Sequence, residues 1–234
     1  MTIVRGALAP IPFVLAAGLL LLAPAGILAG AWGWPRAWAF LAVLCVVQCA
    51  ASVTLALARP AAFAVRQQGL IAPRERRQPL IDAIGSVVYV ICIAAWFAFI
   101  PLDVFSLRLL HAPPLPVSAV GGLIAISGIV IANVAIGQNR FAAPTIHDQG
   151  DEGQEVIQTG LYGLVRHPFY AGMLLFFAGA ALWLGSYAAL IATVVFLVAT
   201  LARIVVEEAY LRESLSDYAA YTRRVRSRLI PFIL

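Results

Sequence analysis

Apolar stretches of roughly 20 residues, each closed off by a few glycine, proline or polar positions, recur along the whole chain. The first runs from Ile11 to Leu28, with Pro10 and Pro12 at its start and Pro24 bending its far end. The second runs from Pro35 to Leu57, the third from Leu80 to Ile100 and the fourth from Val117 to Gln138. Two further runs, Phe169 to Leu184 and Ala188 to Val206, are separated only by Gly185, Ser186 and Tyr187. So short a break predicts an antiparallel helical hairpin. The expected fold is therefore all-α, a polytopic transmembrane bundle of about six crossing segments, since a closed barrel would show short alternating segments instead. A tail from Glu207 to Leu234 follows the hairpin.

Composition agrees with the pattern: 62% of residues are apolar, 12% are charged, and mean hydropathy is +0.93. A soluble domain of this size would not look like that. The formal net charge of +5 comes entirely from arginine, with no lysine in the chain. These arginines sit at the ends of apolar runs, where anionic lipid accounts for them, so nucleic acid is not an expected partner. Cys45, Cys49 and Cys92 all fall inside apolar spans without a histidine at ligand spacing, and no metal site is expected.

The polar connections set the orientation. Arg59 to Gln78 carries five arginines against Glu75 alone, and the tail carries Arg223, Arg224, Arg226 and Arg228. Basic loops stay inside, so both segments and both termini are expected on the cytoplasmic side of a cell inner membrane. Arg5 ahead of a long apolar stretch reads as the start of a first transmembrane helix, not as a signal peptide. Trp32, Trp34 and Trp38 read as an interfacial belt on the opposite face, and Asp103, Arg108 and Pro113, Pro114 and Pro116 as an external loop.

Three polar stretches then converge at one interface: Asn139 to His167, Arg203 to Arg212, and the tail. Because a hairpin brings its start and finish together, Arg166-His167-Pro168-Phe169-Tyr170 should lie beside Arg203, Glu207 and Glu208. Pro168 suits the first turn of a helix, whose positive end can hold a carboxylate. His167 and Tyr170 share a face, and Glu207 lies one turn beyond Arg203. The bland alternative is structural: Arg203 with Glu207, and Glu208 with Arg212, are also i,i+4 ion pairs. Gly121, Gly122, Gly128 and Gly137 read as close helix packing, and Asn133 and Gln48 as interhelical hydrogen-bonding groups or ligand contacts. Tyr210, Tyr218 and Tyr221 read as fixing the tail at the interface.

Gly160-Leu161-Tyr162-Gly163-Leu164-Val165-Arg166-His167-Pro168-Phe169-Tyr170-Ala171-Gly172, the apolar hairpin, Glu207-Glu208, Tyr218, Tyr221 and Leu229-Ile230-Pro231 form an ordered combination. It resembles the isoprenylcysteine carboxyl methyltransferase family and the related phospholipid methyltransferases, over roughly the last 95 residues. No internal repeat or low-complexity tract is visible, and the chain reads as a single membrane domain over residues 1–234, with N-terminal transmembrane helices in 1–115; the resemblance implies that 116–234 is a methyltransferase-like half with the cofactor site. It implies S-adenosylmethionine as cofactor, held on the cytoplasmic side by His147, Gln154, Glu155, Val156, Ile157, Tyr162, Arg166, His167, Pro168, Phe169, Tyr170, Glu207 and Glu208. It implies Arg203 as the residue meeting substrate, with Glu207 beside it as the second catalytic residue. The acceptor would be lipophilic or membrane-associated: a prenylcysteine carboxylate, a phospholipid amine or a small thiol. The alternative is an NAD(P)H-dependent membrane reductase of the sterol type, from which the chain departs by having Glu207-Glu208 where such enzymes carry Arg-Asp-Glu.

Overall fold

The computed structural model describes residues 2–66, 80–139 and 155–232. Nine α-helices and no strand occur among them. In chain order they are α1 (Thr2–Leu8), α2 (Ile11–Ala29), α3 (Pro35–Ala58), α4 (Pro60–Arg66), α5 (Leu80–Leu102), α6 (Leu115–Gln138), α7 (Pro168–Leu184), α8 (Tyr187–Ser214) and α9 (Tyr218–Arg224). Among the described residues, five segments are long and apolar enough to cross a membrane: Thr2–Ala29, Pro35–Ala58, Ile84–Leu107, Leu115–Gln138 and Tyr187–Ser214. The expected fifth crossing is α7, apolar but only 17 residues long, or about 25 Å at helical rise.

Proline punctuates the helix starts as the pattern predicts, standing in the first turn of α2, α3, α6 and α7, where its missing N–H costs no hydrogen bond. The chain begins its helical course earlier than expected, because α1 precedes the break at Pro10 and packs on the end of α3. A Cβ on Gly6 would come within 2.9 Å of the Val53 Cα, so a side chain there would force the two backbones apart.

The core is aromatic. Phe177 and Phe196 stack with centroids 4.4 Å apart, joining α7 to α8, and Trp96 of α5 lies edge-on to both rings. The Trp96 indole N–H donates to the Ala189 carbonyl at 3.0 Å, satisfying the one polar atom of that ring inside the bundle. Leu15, Leu19, Val46, Leu123, Ile191 and Val198 point outward instead, as residues facing acyl chains should.

The tightest seam runs between α6 and α7. A Cβ on Gly128 would sit 2.6 Å from the Gly172 carbonyl oxygen, and one on Gly179 would strike the Ala125 backbone nitrogen. The two backbones therefore touch directly, which is how small residues drive association where no hydrophobic force between helices exists. Gly121 and Gly122 belong to the same seam, against Leu182 and Trp183, while Gly137 has only an ordinary contact with Leu55 at 3.7 Å. Asn133 donates to Gln48 Oε1 at 2.7 Å and links α6 to α3.

Two expectations for the far side are corrected. Trp34 is 7% exposed and lies edge-on to Phe105, because the turn between α2 and α3 folds it inward; Trp32 and Trp38 remain exposed. Asp103 is no loop residue: α5 runs on into a π-helical turn, Asp103–Leu107, and its carboxylate is buried. There it accepts from the Leu109 N–H at 2.9 Å and the Ser186 hydroxyl at 2.6 Å. Ser186 in turn caps α8, accepting from the Ala189 N–H at 2.8 Å. Gly185, at φ +99°, makes the reversal that a side chain would strain.

Candidate functional site

The opposite end of the hairpin brings the sequence-predicted residues together. Helix α8 does not stop at Val206 but continues to Ser214, so Glu207, Glu208 and Arg212 are helical and project toward the start of α7. His167 and Glu208 are 41 residues apart in sequence, yet their side chains meet: His167 Nε2 lies 3.3 Å from Glu208 Oε1.

Glu208 is the most heavily engaged group in the cluster. It accepts from Arg166 Nε at 2.8 Å, Arg212 Nη2 at 3.1 Å and Arg228 Nη2 at 3.3 Å, and it is 1% exposed. A carboxylate so buried keeps its charge only because cations surround it. The structural pairing of Glu208 with Arg212 is thus present, and Glu208 ties α8, the entry to α7 and the tail into one frame.

Glu207 differs from its neighbour. Its side chain is 26% exposed, with Oε1 3.8 Å from His167 Nδ1 and Oε2 accepting from the Tyr170 hydroxyl at 2.8 Å. Arg203 Nε donates to that same Tyr170 oxygen at 2.9 Å, and Arg203 Nη1 donates to Ser86 of α5 at 2.9 Å. The chain Glu207, Tyr170, Arg203, Ser86 therefore runs inward from the rim, Arg203 standing one helical turn, about 6 Å along the backbone, before Glu207 on α8. Phe169 packs edge-on to Tyr170, and the His167 ring lies beside Tyr170 at 5.8 Å.

The tail closes the cluster from beneath. The Arg166 and His167 N–H groups donate to the carbonyls of Ser227 and Arg228 at 3.0 and 2.9 Å, and Arg166 Nη1 reaches the Val225 carbonyl at 3.1 Å. Arg166 is thereby spent on the protein's own acceptors, and the first residues ahead of α7 are pinned to the tail. Tyr221 donates to the Tyr162 carbonyl at 2.8 Å, and the Tyr162 hydroxyl reaches the Ala135 carbonyl at 3.4 Å. Val156 packs on Tyr218, Tyr221 and Val225. The tyrosines do fix the tail, but from inside: Tyr218 and Tyr221 are both buried.

Of the residues expected in the site, Arg166, His167, Pro168, Phe169, Tyr170, Arg203, Glu207 and Glu208 are gathered at the mouth between α7 and α8. Glu155, Val156, Ile157 and Tyr162 lie on the segment leading into it; Ile157 is half-buried and Glu155 exposed. His147 and Gln154 fall outside the described residues. Ser86 and Arg228 are additions to that set. Nothing in their spacing marks them, since each arrives from an element remote in sequence. No group of three or more histidine, cysteine, aspartate or glutamate residues suited to a metal occurs among the described residues.

A helical bundle with transmembrane-length apolar helices, carrying a buried cluster of arginines, glutamates and a histidine at one end of a hairpin, defines the class: a membrane-embedded protein with its polar site at a membrane surface. Residues 117–217 match the family described as phospholipid methyltransferase, in agreement with the resemblance to the isoprenylcysteine carboxyl and phospholipid methyltransferases seen in the motifs. The matched stretch spans α6 to the end of α8, so it holds the glycine seam, the hairpin and both glutamates. That family name denotes methyl transfer to a lipid-related substrate. No curated protein matches the chain.

Proposed function

We propose that the chain transfers a methyl group from S-adenosylmethionine to a lipophilic acceptor in the bilayer, at its cytoplasmic face. The observation that supports this best is the division of labour between two adjacent carboxylates. Glu208 is saturated by cations and holds the frame, whereas Glu207 keeps an accessible carboxylate oriented by Tyr170.

The residues fit such a donor, whose sulfonium and ammonium ask for a carboxylate and whose own carboxylate asks for donors. Glu207 supplies the first. His167 and the positive start of α7 supply the second. When bound, S-adenosylmethionine supplies an electrophilic methyl group, and what the protein contributes is placement and exclusion of water. Val156, Ile157 and Tyr162 form the cover on the segment that leads into α7. Arg203, fixed by Tyr170 and Ser86, lies on the bilayer side of Glu207, where it meets the polar end of an acceptor whose chain stays in lipid. A carboxylate acceptor needs no base. An amine or thiol must lose a proton first, and Glu207 is the carboxylate placed to take it.

Calorimetric titration of the purified full chain in detergent, with S-adenosylmethionine and separately with NADPH, tests this reading. Binding of S-adenosylmethionine is expected; binding of NADPH alone would replace the proposal with the reductase.

A further inference from the structure

The Tyr218 hydroxyl is fully buried, on a residue 3% exposed, yet no hydrogen-bond partner for it occurs among the described residues. Its neighbour Tyr221 is equally buried, and its hydroxyl donates to the Tyr162 carbonyl at 2.8 Å. The rings lie 5.8 Å apart on one short helix, so the contrast is not one of burial. A lone buried hydroxyl forfeits its water without recompense, and folded proteins rarely leave one in that state unless something else binds it.

Its surroundings say where that something lies. Val156, on the segment assigned above as the cover, packs against the buried cluster of Tyr218, Tyr221 and Val225. Glu208 and Glu207 lie near it, and after burial itself these two carboxylates are what push its ionisation upward. The phenol therefore stays protonated at neutral pH and can donate. A second orphan donor sits on the same frame: Arg228 Nε is buried without a partner while its Nη2 reaches Glu208.

We infer that Tyr218 is a binding residue of this site, its hydroxyl donating a hydrogen bond to an acceptor atom of the bound methyl donor. The inference rests on the reading of the site as one for S-adenosylmethionine. It assigns to the α9 helix a direct part in holding ligand, beyond anchoring the tail. It also sets a sign that purely structural roles would not share, since removing an unsatisfied hydroxyl relieves the free protein and harms only the complex.

The test compares Tyr218→Phe with Tyr221→Phe in the full chain in detergent, measuring the ligand-free Tm and the Kd for S-adenosylhomocysteine. For Tyr218→Phe the ligand-free Tm should be unchanged or higher, with Kd raised about fivefold to tenfold. For Tyr221→Phe the ligand-free Tm should fall, because a made hydrogen bond is lost. An unaltered Kd for Tyr218→Phe, or a Tm that falls as far as that of Tyr221→Phe, would overturn the inference. Failure of the unsubstituted protein to bind S-adenosylhomocysteine at all would instead overturn the donor assignment on which it rests.

Discussion

Asp103 at the closed end of the α7–α8 hairpin and Glu208 at its open end are almost equally hidden, at 2% and 1% exposure. Their partners differ in kind. Asp103 is held by a serine hydroxyl and a backbone N–H, and Ser186 passes the link on to the first turn of α8. Glu208 is held by three guanidinium groups and an imidazole. Neutral donors complete a carboxylate and leave nothing over, so the closed end is a latch. Three arginines around one glutamate leave positive charge in excess, and Glu207 stands beside them to offset part of it. On the proposed function, the open end would meet a ligand carrying both signs of charge, whereas the closed end offers no charge to one.

Removing Glu208 should break the contrast most severely. Glu208→Ala leaves Arg166 and His167 buried and facing one another without an anion, at a cost of about 3–5 kcal/mol. Thermal unfolding in detergent should show a large fall in Tm; a variant as stable as the parent would show that the frame does not depend on this carboxylate. Glu207→Gln should act on the ligand and not on the fold. It should weaken S-adenosylmethionine binding about tenfold, equivalent to about 1.4 kcal/mol, with little change in ligand-free Tm, and equal affinity by calorimetry would remove Glu207 from the site. Asp103→Asn should be the mildest. It retains an acceptor for one partner and should lower stability by about 1 kcal/mol while leaving the Kd for S-adenosylmethionine unchanged. A shift in that Kd would mean that the closed end is coupled to the open one.

The apolar runs foretold most helix positions to within a few residues, because lipid imposes a length and a composition that no local accident imitates. The meeting of His167 with Glu208 was equally legible, since a hairpin with so short a turn admits one geometry. What the sequence concealed were contacts that depend on a single turn of backbone. Trp34 looks like its neighbours Trp32 and Trp38 in composition, and only the fold of the α2–α3 turn tucks it under Phe105. Asp103 follows a proline at the end of an apolar run and reads as a loop residue, because its partner Ser186 is 83 positions away. The pairing of Arg166 and His167 with Ser227 and Arg228 uses backbone groups alone, and backbone groups carry no signature in the side-chain pattern. Arg166 was thus legible as a member of the site but not as a residue whose donors are already committed to the tail.

The bare glycine contacts between α6 and α7 have a mechanical result. Two backbones that touch without intervening side chains have no cushion to compress and no rotamer to exchange, so they move as one slab. On the proposed function, a long-chain acceptor arriving from the bilayer would therefore have to part a neighbouring element, such as α8, from that slab, with the glycine seam as its fixed post.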